Sequence, residues 1–313
     1  MLHPDGLKVA LTGASGFIGQ AVVNRIVGGA LGQVEELRLN DIRAIERPGA
    51  VFIEGSFTES AVRDRLIGDG VDVLFHLASL PGGASERDPV LGKSVNLDGT
   101  MALFDHAGLR GCPIIVYTSS IAALGRPLDR VTDATALRPS GSYGTHKAMI
   151  EFYLADLTRR GLVDGRAVRP AGIVARPRTA YAGFATAWMS DLFHAALDNR
   201  AITIPAPADT QIWLQSIDTL ADNIIHAAML PAQGLPANRV WTLPATVVNV
   251  AALIAALSRR TGQPMTVEFG AEAANASGGN PALDACSALA FGFKSDGDTA
   301  ELVDAVLSGI EEE

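Results

Sequence analysis

The stretch "LTGASGFIGQAVV", residues 11–23, decides the fold. It completes an apolar run, "LKVALTG" (7–13), and passes through Gly13, Gly16 and Gly19 into a helical pattern. In such a turn the first glycine permits a tight reversal. The second lets backbone approach a phosphate, and the third lets helix pack closely on strand. The helix N-terminus adds unpaired N–H groups and a partial positive charge. Glycines also serve plain turns, but a strand before and a helix after are the context that a dinucleotide turn requires.

Outward from this turn, strands and helices alternate. Continuous apolar runs lie at "LRLNDI" (37–42), "AVFIEGSF" (50–57), "VDVLFHLA" (71–78), "PIIVYTSS" (113–120) and "GRAVRPAGIVA" (165–175). Helical segments fall near 17–30, 59–68, 92–109 and 142–161. Unbroken apolar character implies strands buried on both faces, so the expected fold is α/β, a Rossmann-type doubly wound parallel sheet. After Arg176 the rhythm changes, with helices near 183–198 and 219–229, a strand "RVWTLP", a helix capped by Asn249 and closed by Gly262, and a C-terminal helix. Residues 1–175 plus about 211–233 read as a dinucleotide-binding domain, and about 176–210 plus 234–313 as a smaller C-terminal substrate-binding cap.

The chain has 313 residues, 48% hydrophobic and 19% charged, so it can bury a core. A net charge of −9 opposes nucleic acid as a partner, because phosphate binding needs a positive surface. Cys112 and Cys286 have no metal-ligand spacing. They suit a reducing compartment and are expected to pack as small apolar groups. The uncharged stretch 240–258 is interrupted by Pro244 and Asn249, so no membrane span is expected. The sequon Asn275-Ala276-Ser277 has no meaning in the cytoplasm, where the protein is expected.

Asp41 ends the second strand. A carboxylate there can accept both adenine-ribose hydroxyls and would repel a 2′-phosphate, which favours NAD over NADP. Arg43 softens that preference. "SYGTHK" (142–147) sets Tyr143 and Lys147 four residues apart, hence on one helical face, at the sheet edge where "TSS" (118–120) also ends. An ammonium there favours the phenolate, drawing the tyrosine from about 10 towards neutrality. Tyr143 then becomes a general base for an alcohol–carbonyl interconversion.

Together with "NLDGT" (96–100), these motifs resemble the extended short-chain dehydrogenase/reductase family from Lys8 to about Ala228. The resemblance implies Tyr143 as acid/base, Lys147 gripping the nicotinamide ribose, and Ser120, or less readily Ser119, holding the substrate oxygen. Gly13, Ser15, Gly16, Phe17, Ile18, Gly19, Asp41, Ile42, Ser56, Phe57, Leu77, Ala78, Ser79 and Asn96 fall at its cofactor positions. Ser56 and Phe57 match the pair contacting adenine, with Ser56 replacing the usual Asp, and Asn96 matches the asparagine supporting the active-site helix.

Finer features, including "ARP" (175–177) and "ADTQIWLQS" (208–216), resemble the branch oxidising the C2 hydroxyl of four-carbon sugar acids of the D-erythronate kind. Arg176 and Arg178 are candidates for the substrate carboxylate. Ser79 and Trp213 could line the pocket, although a tryptophan at a domain junction is more often core. Arg169-Pro170-Ala171-Gly172 departs from the branch's usual R-L-P-T, which puts substrate details in question. Gly172 stands where nucleotide-sugar epimerases carry Asn. The rival readings are such an epimerase or dehydratase with tightly held NAD, and a non-catalytic NAD(P)-sensing regulator. His76 and His146 lack partners at ligand spacing and read as structural, so no metal is expected. Met149, Ile150, Phe152, Tyr153, Leu154 and Leu157 wrap more than one face of their helix, pointing to a homodimer. Residues 79–89 read as a glycine-rich loop.

Overall fold

The computed structural model describes residues 6–125, 130–178, 186–270 and 279–311. Its contacts divide the chain into two compact units, 1–125 with 136–169 and 221–241, and 126–135 with 170–220 and 242–313.

The first unit is built on strands β1 (Leu7–Thr12), β2 (Val34–Asp41), β3 (Ala50–Glu54), β4 (Val73–His76), β5 (Ile114–Thr118) and β6 (Asp164–Arg169). These run parallel in the order 3-2-1-4-5-6, and β10 (Val240–Thr242) extends the sheet beside β6. This is the doubly wound order, whose strand sequence reverses between β1 and β4. The helices are α1 (Phe17–Val27), α2 (Ser60–Ile67), α3 (Gly82–Arg87), α4 (Pro89–Lys93), α5 (Thr100–Gly108) and α6 (Ser142–Arg159). A π-helical turn (Ser94–Gly99) joins α4 to α5, and a 3-10 turn (Ile121–Leu124) follows β5. The core packs Leu74, Ile115 and Ala167 of the sheet against Leu103 and Phe104 of α5 and Ile150, Leu154 and Leu157 of α6.

The second unit holds β7 (Gly172–Val174), β8 (Ile202–Ile204), β9 (Gln211–Ser216), β11 (Thr246–Asn249) and β12 (Val267–Phe269). They form a β11-β9-β7 sheet and a β12-β8 pair. Its helices are α7 (Ala187–Leu197), α9 (Val250–Thr261), α10 (Cys286–Ala290) and α11 (Thr299–Glu311), while α8 (Ile217–Met229) carries the boundary with the first unit. Leu192, Leu253, Leu302 and Leu214 meet in its core. Asn249 caps α9 by accepting from the Ala252 N–H at 2.7 Å, and Gly262 closes it at φ 72°, as the sequence suggested.

Several expectations are corrected. Residues 165–175 are not one strand: Pro170, lacking an N–H, separates β6 from β7, and the two join different sheets. The dividing line therefore falls at Arg169, and β7 and β9 go with the second unit rather than the first. The helix expected over 92–109 starts at Pro89 and contains the π turn. The loop expected over 79–89 carries α3. Cys112 and Cys286 are free and exposed rather than packed, Cys112 lying in the segment before β5 and Cys286 opening the short helix α10. Residues 183–185 of the expected 183–198 helix, and the sequon, lie outside the described residues. No described helix is long and apolar enough to cross a membrane.

Candidate functional site

The turn after β1 has the shape its sequence implies. Gly13 adopts φ 78°, and a Cβ there would lie 2.7 Å from the Ala78 nitrogen, so only glycine lets β1 and the end of β4 approach. Gly16 caps α1. Asp41 at the end of β2 reaches over the turn, accepting from the Ser15 N–H at 3.0 Å and the Arg43 N–H at 3.3 Å. The buried Ser15 hydroxyl has no hydrogen-bond partner, as expected of a group reserved for a ligand. An open N-terminus, an orphaned hydroxyl and a carboxylate at the end of β2 fit a dinucleotide with a free 2′-hydroxyl.

Two residues that the sequence undervalued brace this turn. Asn40 is buried and donates to the Ile53 and Gly55 carbonyls, joining β2 to the end of β3. His76 is bridged by Thr12 at 2.7 Å and Thr100 at 3.0 Å. Burial first, and then the charge of Lys147, push it down to about 3, so it is neutral at pH 7.

The other expected cofactor positions vary. Leu77, Ala78 and Ser79 are half-buried at the end of β4, and Ile42 is exposed beside Asp41. Phe17 and Ile18 open α1. Ser56 bonds Thr58 at 2.8 Å. Phe57 turns its ring into the core, edge-on to His76 at 4.9 Å, which leaves its backbone alone for an adenine. Asn96 does not bond the active-site helix. Its amide takes the Leu80 N–H at 2.7 Å and donates to Leu80 O and Ser85, so it holds the segment after β4.

Tyr143 and Lys147 lie in the first two turns of α6. Gly144 between them packs so closely on the 3-10 turn that a Cβ would overlap the Ala122 carbonyl. This contact ties the start of α6 to Ser120, whose hydroxyl caps the 3-10 turn through the Ala122 N–H at 3.1 Å. Lys147 is buried, donates to the Thr118 carbonyl at 2.6 Å, and lies 4.7 Å from the Tyr117 ring centroid and 5.5 Å from that of Tyr143. Burial lowers it to about 7, opposed by the Glu151 carboxylate.

Ser119 points elsewhere. It donates to Glu151, which forms a buried ion pair with Arg169 at 2.6 Å. This trio was not found in the sequence because Glu151 and Arg169 look like surface charges until α6 is laid on β6. In the second unit, Arg176 is half-buried, with its backbone tied to Ser190 and His194. Arg178 is half-exposed and paired with Asp198 at 2.6 Å. Trp213 is core, donating to the Pro281 carbonyl. No described group of three or more His, Cys, Asp or Glu could hold a metal ion.

The sequence and the fold are similar to those of known proteins. A D-erythronate dehydrogenase from Cupriavidus necator is 33% identical over 96% of this chain and 98% of its own. One from Haemophilus influenzae is 30% identical over 93% and 95%. The crystal structure of a nucleoside-diphosphate-sugar epimerase from Agrobacterium tumefaciens superposes with a TM-score of 0.90 at 29% identity, covering 100% of this chain and 96% of that one. The family model described as the NAD dependent epimerase/dehydratase family matches residues 9–240. The chain is a member of that family, and NAD is its cofactor.

Proposed function

We propose that this protein is an NAD-dependent dehydrogenase that oxidises the C2 hydroxyl of a small sugar acid, D-erythronate in the first place, to the 2-keto acid. The observation that carries the proposal is the convergence of Tyr143, Lys147 and Ser120 on one sheet edge, beside a turn fitted for a dinucleotide. Near-full-length similarity to two D-erythronate dehydrogenases supports the choice of substrate.

When bound, NAD supplies the hydride acceptor. Gly13, Ser15, Gly16, Phe17, Ile18 and Gly19 would hold its pyrophosphate and Asp41 its adenine ribose. Ile42, Ser56, the Phe57 backbone, Leu77, Ala78 and Ser79 would line the remainder, with Asn96 keeping that last segment in place. Ser120 donates to the substrate oxygen and aligns it. Tyr143 removes the hydroxyl proton as general base, and the ammonium of Lys147 favours the phenolate that does so. Arg176 and Arg178 are our candidates for the substrate carboxylate, and Arg178 also pairs with Asp198.

The exposed Met149 and Phe152 form a stripe on α6 that the core does not use, and we assign it to a homodimer contact. A cytoplasmic location is part of the same reading, since two free thiols suit a reducing compartment.

The Agrobacterium structure favours a second reading, a nucleotide-sugar epimerase. A screen of four- to six-carbon sugar acids with NAD and with NADP separates the two. We expect NADH from D-erythronate and a weaker response with NADP. Silence with every acid, together with interconversion of UDP-sugars without net NADH, would establish the epimerase instead.

A further inference from the structure

Beside Lys147 the first unit contains a buried cluster, Ser119, Glu151 and Arg169, to which the reaction above gives no role. The inner face of α6 carries Lys147, Ile150, Glu151, Leu154 and Leu157, at spacings that bring each against the sheet. Two of these five are ionisable. Glu151 is one helical turn beyond Lys147, its carboxylate receives the Arg169 guanidinium twice, at 2.9 and 2.6 Å, and it also accepts the Ser119 hydroxyl. Three elements are thereby pinned at one point: the end of β5, the middle of α6 and the end of β6.

We propose that Glu151 is a positioning residue, clamped by Arg169 and Ser119, that supplies the counter-charge for the buried Lys147 ammonium and locks the strand end that presents Ser120. The proposal rests on Tyr143 and Lys147 being the acid–base pair. Neighbouring side chains of an extended backbone point to opposite faces. With Ser119 held inward by Glu151, Ser120, which is extended at φ −163° and ψ 151°, must face the other way.

A fully buried ammonium needs charge or dipoles around it. Lys147 has the Thr118 carbonyl and the Tyr117 ring from β5, Tyr143 and Glu151 from its own helix, and neutral His76 from β4. Arg169 of β6 stands behind Glu151. Of the other charges on elements packed against α6, Arg87 is exposed on α3, Asp164 and Arg166 pair with each other on β6, and His106 of α5 lies against Asp64. Glu86 accepts the Ser142 N–H, Lys93 pairs with Asp98, and Asp105 takes the Tyr153 hydroxyl. Glu151, one helical turn away on the same buried face, is the carboxylate that opposes the effect of burial on Lys147.

The chain has four lysines, Lys8, Lys93, Lys147 and Lys294, so the side-chain nitrogens of 15N-lysine-labelled protein can be resolved and titrated one by one. In Glu151→Gln the Lys147 Nζ midpoint should fall by about one pH unit. The alkaline limb of kcat should move down with it, while the Kd for NAD stays within about twofold. Ser119→Ala leaves the ion pair intact and carries the test if E151Q does not fold. There kcat should drop about fivefold, with the Lys147 midpoint unmoved. A wild-type Lys147 midpoint in E151Q, or a wild-type kcat in S119A, overturns the proposal. The lysine titration needs no substrate, so inactivity towards D-erythronate would sink the substrate assignment and leave this test standing.

Discussion

At the scale of single residues, the site separates groups with the same sequence neighbourhood. Ser119 and Ser120 are adjacent, yet one donates into a buried ion pair and the other caps a 3-10 turn. The sequence left both open as substrate contacts, because a backbone's alternation is invisible until its partners are known. Tyr143 and Lys147 could be proposed from their four-residue spacing only together with the glycine turn and the TSS strand end. Glu151 and Arg169 could not, since carboxylate–guanidinium pairing across 18 residues depends on how α6 lies over β6. Replacing Tyr143 by Phe removes the proton acceptor and keeps the ring. We expect kcat for D-erythronate to fall about 10²- to 10⁴-fold with NAD affinity unchanged, as measured by quenching of intrinsic fluorescence. Retained turnover would assign the base to another group.

At the scale of elements, β1, β4 and α5 are joined by a neutral imidazole. His76 bonds Thr12 and Thr100 through its two ring nitrogens, and burial first, with the charge of Lys147 second, keeps the ring neutral. Its value in the folded protein is about 3, against an ordinary 6.5, so the unfolded chain binds the proton more readily between those limits. Stability must then rise with pH across that window, and acidification from 6.5 to 3 removes roughly 4 to 5 kcal/mol at most. Urea melts at pH 7 and pH 4.5 should show a loss in the wild type that is clearly smaller in His76→Asn. Equal losses would put acid lability elsewhere. The strands and most helices of the first unit were readable because parallel strands buried on both faces give unbroken apolar runs. The break at Pro170 was not respected in the sequence reading, since apolar residues continue on either side of it.

At the scale of the whole molecule, the doubly wound order followed from the alternation of elements, whereas the second unit followed only in part. Its strands are three to six residues long, and β7 enters it directly from the end of β6. Such short segments carry too little pattern to declare which sheet they join. The stripe of Met149 and Phe152 was detectable as an excess of apolar residues on α6, and both side chains are exposed in the single chain, by 47% and 68%. That is a poor surface for a lone protomer. Phe152→Glu should convert a dimer into a monomer in analytical ultracentrifugation without loss of NAD binding. A monomeric wild type at micromolar concentration would remove the dimer from the account.

The central claim is that hydride leaves C2 of a sugar acid while Tyr143 takes the hydroxyl proton. Oxidation of D-erythronate deuterated at C2, followed by mass analysis of the reduced cofactor, tests it most directly. The account predicts one deuterium per NADH formed and a rate lower than with unlabelled acid. Unlabelled NADH, or the absence of any reduced cofactor, would contradict it.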